Sequence, residues 1–142
     1  MCIGIVMRKF KGLVSAVVLG ASALVMIACG GQKPEDAALA FSKATFENDL
    51  DKVMTLVDTK GLSEDELKLA KGKLTVALTP VQTKAKMSDG YKGTKALSVD
   101  GNCANDGDAC SVKVEHTFGD GSTDTGVVSL VNREGVLKVS LK

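Results

Sequence analysis

The hydrophobic period of this chain changes once, from about 3.6 residues to two, and the change falls near Thr94. Segregation of that kind places helices first and strands afterwards. Pro34-Glu35-Asp36 opens the first helix, with Pro at the first helical position and two acids at the positive end of the dipole. Ala37, Phe41 and Ala44 then form one apolar stripe, which Asn48-Asp49 interrupts. Leu50, Val53, Met54 and Val57 give a short second helix, stopped at Gly61. Ser63-Glu64-Asp65-Glu66 is a capping box, with Leu62 and Leu67 placed as a hydrophobic staple. Leu67, Ala70, Leu74 and Leu78 line the third helix, which Pro80 is expected to end. Lys68, Lys71 and Lys73 read as its solvated face.

Beyond Thr94, Leu97 and Val99 alternate with polar neighbours, and Val112, Val114, His116 and Phe118 do the same. Residues 119–122 form a turn, residues 127–131 a third strand, residues 133–135 a turn and residues 136–141 a fourth strand. Register follows from keeping one face apolar. Pairing Cys103 with Cys110 sets Val99 opposite Val114, Leu97 opposite His116 and Asp100 opposite Lys113. A two-residue Asp120-Gly121 turn pairs Val114 with Val127. For the last turn, a two-residue Glu134-Gly135 loop would set Val131 against Lys138. A three-residue loop with Gly135 left-handed sets Val131 against Leu137 and Val127 against Leu141, and is preferred. The expected fold is α+β: three N-terminal helices covering a four-stranded antiparallel meander, cone-like in shape.

The chain has 142 residues, enough for one domain. Aromatics make up 4%, with no Trp and one Tyr, which excludes a base-stacking nucleic-acid reader. Eighteen Lys+Arg against seventeen Asp+Glu leave +1, no field for a polyanion. One His and no paired-Cys spacing argue against a zinc site.

The N-terminal stretch reads as an address. Arg8, Lys9 and Lys11 precede 17 uncharged residues, 12–28, which end at Cys29. That run is interrupted by glycine and is short of the roughly 18–20 apolar residues of a spanning helix. Met26-Ile27-Ala28-Cys29 resembles the lipobox of bacterial lipoproteins, where the chain is cut before the Cys and lipid is attached to its sulfur. The expectation is a signal peptide over 1–28, a lipidated tether over 29–33 and a globular domain over 34–142. The alternatives are an ordinary signal with a fortuitous Cys, or an uncleaved anchor; translation starts at Met1 or at Met7. Loss of Arg8, Lys9 and Lys11 turns +1 into −2, so membrane attachment rests on the acyl chains of Cys29 rather than on a basic patch. In an oxidising compartment Cys103 and Cys110 read as one disulfide, the alternative being two free thiols.

The run Pro34-Glu35-Asp36-Ala37-Ala38 with Phe41 and Ala44 carries a wider resemblance. So do Asn48-Asp49-Leu50-Asp51-Lys52-Val53, the valine-rich strand 111–117 and the close Arg133-Glu134-Gly135-Val136-Leu137-Lys138-Val139. Together they resemble a family of small bacterial lipoproteins with a domain of unknown function in the nuclear-transport-factor-two-like, cystatin-like superfamily. The resemblance implies the helix-then-meander fold and brings no functional residues.

His116 is expected on the covered face, beside Leu97 and Thr125, without a carboxylate partner; it reads as a satisfied histidine rather than a general base. His116, Val114, Phe118 and Tyr91 are the residues that would line a cavity between helices and sheet. Tyr91 sits in the helix-to-sheet crossover and reads as a core plug. Residues 102–108 carry oxygen ligands and a Gly, but Ala104 stands at a ligand position and no closing Glu follows, so a disulfide-closed turn is preferred over calcium. No metal, cofactor or catalytic residue is assigned. The expected role is a non-enzymatic, lipid-anchored envelope protein that binds a protein partner or helps assembly. Gly30 after the Cys favours the outer membrane facing the periplasm in a Gram-negative host. The alternative is a carrier of a lipid or hydrophobic metabolite.

Overall fold

The structure, a computed structural model, describes residues 32–141. The signal segment expected over 1–28, Cys29 and the first residues of the tether lie outside the described residues. Three helices, α1 (Pro34–Phe46), α2 (Leu50–Leu56) and α3 (Glu64–Met87), precede four strands, β1 (Tyr91–Gly101), β2 (Ala109–Phe118), β3 (Thr123–Arg133) and β4 (Val136–Val139). The strands form one antiparallel sheet in the order β1-β2-β3-β4, a meander. Among the described residues no helix is long and apolar enough to cross a membrane.

The helix starts follow the sequence. Pro34 opens α1 with Glu35 and Asp36 in its first turn. Asp49 caps α2 by accepting from the Lys52 amide at 3.1 Å. Ser63 and Glu66 complete the capping box of α3, the Ser63 amide donating to the Glu66 carboxylate at 2.7 Å. The end of α3 departs from expectation, because the helix runs through Pro80 to Met87. Pro80 removes one backbone hydrogen bond and lies exposed, where water can satisfy the freed Val76 carbonyl. Leu74 and Leu78 before Pro80 and Ala85 after it are buried, so both halves of the helix pack against the domain.

The sheet pairs differently from the sequence reading at each turn. β1 pairs with β2 two residues away from the expected register at Val99, which faces Val112, and Asp100, which faces Ser111, and three residues away past a bulge, where Thr94 faces His116. A bulge between Ala96 and Ser98 turns Leu97 outward, 45% exposed. The β2–β3 turn holds three residues, Gly119, Asp120 and Gly121, with Phe118 and Ser122 closing it and Gly121 left-handed at φ 82°. Val114 therefore faces Gly126 rather than Val127, which is 66% exposed. The β3–β4 turn is the two-residue form: Glu134 and Gly135 both have positive φ, 56° and 87°, and Val131 faces Lys138. Leu141 lies past β4, 54% exposed. The two one-residue errors on β3 cancel at β4, so Leu137 and Val139 still point inward.

The reason is local. Residues 127–131 carry apolar side chains on both parities, so a one-residue slip exchanges one plausible apolar face for another. The inward row is Val128, Leu130 and Asn132, joined by Val112, Val114, Leu137 and Val139. Ala37, Ala38 and Ala44 of α1, Val53 of α2 and Leu74 and Leu78 of α3 close over it. Each fully buried Val or Leu contributes about 1.5–3 kcal/mol. At the opposite end from the disulfide, the Gly119 amide donates to the Gly90 carbonyl, and a Cβ at Gly119 would overlap the Asp89 carbonyl. That contact fixes the β2–β3 tip against the α3–β1 corner.

Candidate functional site

Tyr91, Thr94 and His116 gather at the end of the sheet where α1 stops. Tyr91, the first residue of β1 after the α3–β1 crossover, bonds through its hydroxyl to Thr94 Oγ1 at 2.7 Å. Thr94 Oγ1 in turn bonds to His116 Nδ1 at 2.8 Å. Phe46, the last residue of α1, roofs the group: its ring stacks on Tyr91 at 4.3 Å and meets His116 edge-on at 4.9 Å. It also meets Phe118 at 5.8 Å. Of the four residues expected to line a cavity, three converge on Phe46, and Val114 follows on the same strand face toward Gly126.

The one-residue change at the β2–β3 turn gives His116 a different neighbour. Its cross-strand partner is Asp124, not Thr125, and on the β1 side it faces Thr94, not Leu97. A carboxylate is thus present where none was expected. Asp124 is engaged from α3, with Lys84 Nζ 2.6 Å from its Oδ2. Burial holds the His116 imidazole below its usual pKa, with Asp124 opposing and Lys84 adding to the depression. The Lys84 hydrogen bond holds the Asp124 carboxyl below its usual range. Phe46, Thr94, Lys84 and Asp124 were not singled out from the sequence. Asp124 comes opposite His116 because Gly121 is left-handed and the turn is the longer one.

Val114 is fully buried and Phe118 is 1% exposed, so neither borders a space that a water molecule could enter. Open space lies outside them. One groove of about 560 Å³ runs past Phe46 and Tyr91, with Leu39, Lys43, Gly93 and Thr94 among its walls. A second, also about 560 Å³ and mostly apolar, lies between α3 and the segment after α2, lined by Val57, Leu62, Leu69, Leu74, Ala77 and Leu141.

Cys103 and Cys110 form the disulfide, with Cα atoms 5.5 Å apart. The loop they close uses its oxygens on backbone amides: Asn102 accepts from Ala104, Asp108 from Asn105 and Asp106 from Glu134. Among the described residues no group of three His, Cys, Asp or Glu side chains is placed to hold a metal ion.

The crystal structure of a Campylobacter jejuni protein titled "Putative NTF2-like transpeptidase" superposes with a TM-score of 0.69 at 25% identity, covering 78% of this chain and all of that one. The fold is therefore NTF2-like, three helices on a four-stranded antiparallel sheet. No protein-family model matches the sequence, and no curated protein matches it.

Proposed function

We propose that this is an exported protein, lipid-anchored through Cys29 to a bacterial membrane, whose folded domain acts by binding a protein partner and not by catalysis. The observation that carries the binding reading is a contrast between the two ends of the domain. The polar cluster is hydrogen-bonded within itself beside a groove of mixed polar and apolar lining, whereas the groove along α3 is mostly apolar. A groove of that size with an apolar floor and a few polar groups at its rim suits an apolar segment of a partner. Asp58, Thr59, Glu66 and Lys73 supply that rim.

The name of the Campylobacter protein raises acyl transfer, which needs a nucleophile activated by a base. Both described cysteines are tied in the disulfide. Thr94 lies within reach of His116, but its hydroxyl is held from the other side by Tyr91, and Phe46 stacks over the pair. The carrier alternative is weakened by the sealed packing of Val114 and Phe118.

A photocrosslinking residue in place of Ala77, on the groove wall, should yield one adduct of defined mass in intact cells. The same residue in place of Lys113, on the far face of the sheet, should yield none. Equal labelling at both positions, or none at Ala77, would refute the groove as the binding site. Incorporation of a fatty-acid analogue that persists in a Cys29→Ala variant would refute the anchor. Covalent capture of Thr94 by an acylating probe would refute the non-enzymatic reading.

A further inference from the structure

α3 is apolar on two opposite sides, and only one of them meets the core. Leu74, Leu78 and Ala85 face inward. At 3.6 residues per turn, Leu69, Val76, Pro80 and Met87 fall within about 40° of one another on the opposite side. Leu69 is 59%, Val76 74% and Met87 81% exposed. The ridge they form is about 27 Å long at 1.5 Å per residue. At its N-terminal end it meets Leu62, which is 39% exposed, and the wall of the apolar groove.

Beyond its first turn the charges that α3 itself carries along the ridge are lysines. Helix α3 carries acids only in its first turn, Glu64, Asp65 and Glu66. From Leu67 to its end the only charged residues are lysines. Lys73 and Lys84 flank the ridge on one side, and Lys68 and Lys86 on the other. Lys84 is engaged by Asp124 and Lys68 by Asp65, whereas Lys73 and Lys86 have no acidic partner among the described residues.

We infer that this ridge is a membrane-contact surface, by which α3 lies along a bilayer rich in anionic phospholipid. Apolar side chains standing out between two rows of lysines match the layering of the bilayer interface. The ridge enters the acyl boundary, while the lysine stems run beside it and carry their ammonium groups to the phosphates. A bilayer accepts a convex ridge without a preformed shape, whereas a protein partner would need an apolar trough with acidic walls on both sides. The inference goes beyond the proposed function and does not require acylation of Cys29. With the ridge seated, the neighbouring apolar groove opens close to the membrane surface.

The chain contains no tryptophan, so Val76→Trp introduces a single reporter. Full chain carrying Cys29→Ala and Val76→Trp is mixed with vesicles of phosphatidylglycerol and phosphatidylcholine. The expected result is a blue-shifted emission that brominated lipid quenches, with much weaker change on pure phosphatidylcholine. Val127→Trp, on the outer face of the sheet, serves as the reference and should stay unshifted and unquenched. Lys73→Gln and Lys86→Gln should each weaken partitioning roughly fivefold, an effect that added salt reproduces. Three results would overturn the inference: an unshifted reporter on anionic vesicles, equal quenching at position 127, or a blue shift that follows protein concentration without lipid. The last would make the ridge a protein interface. Because the readout is depth at position 76, it is independent of how the chain is anchored.

Discussion

Asn132 donates its side-chain amide to the carbonyl of Cys103 at 2.7 Å, joining the inward row of β3 to the disulfide loop. The same side chain accepts from the Gly135 amide at 2.9 Å, and its backbone bonds to Gly107 and Asp108. One buried polar residue therefore satisfies the loop and the β3–β4 turn together. Asn132→Leu should lower unfolding stability by about 1–3 kcal/mol, because the Cys103 carbonyl in the buried end of the loop and the Gly135 amide lose their partner. Denaturant titration with an unchanged m-value checks it.

Reduction of the Cys103–Cys110 bond releases a short loop, so the loss should be modest, about 2–3 kcal/mol. The melting temperature should fall by several degrees while the domain stays folded at room temperature. Calorimetry of the Cys103→Ser/Cys110→Ser variant reads it. Unfolding at room temperature would show that the loop does more than hold its hairpin end.

Two glycine substitutions should have opposite signs. Gly119→Ala places a methyl group on the Asp89 backbone, and overpacking of that kind costs about 1–3 kcal/mol. Gly72→Ala, in the exposed interior of α3 with open space around the new carbon, should stabilise by about 1 kcal/mol. Thermal melts of both variants in one buffer give the comparison.

The pH dependence follows from His116. Its pKa in the folded state lies below the unfolded value of 6.5, chiefly through burial, so the unfolded chain binds the proton more readily. Stability should be constant with respect to this group at higher pH and fall as pH drops below about 6.5. Asp124, depressed by Lys84, acts in a separate window and withdraws its contribution only as pH falls below its unfolded value of 3.8. Melting temperatures between pH 5 and 8 should slope in the native chain and flatten in His116→Gln.

How far the sequence carried the fold is visible at particular residues. Helix starts were legible because capping is local: Ser63 and Glu66 are three residues apart and bond to each other whatever lies beyond. The end of α3 was not, because Pro80 breaks a helix only where nothing holds the far side, and Ala85 beyond it is buried. Tyr91 and His116 were recognised by type and parity, and the disulfide by count and compartment.

The sequence by itself determined the order of elements, the meander and the residues able to face inward, since all three follow from periodicity and near-neighbour chemistry. Tertiary structure alone decided the register, and with it that Asp124 faces His116, that Val127 faces solvent and that Phe46 roofs the polar cluster. The physical reason is the two-residue repeat of a strand. Where both parities of β3 are apolar, either register buries a comparable surface. The choice then passes to a left-handed Gly121, to the paired positive φ of Glu134 and Gly135, and to the hydrogen bonds that Asn132 makes only in one of them.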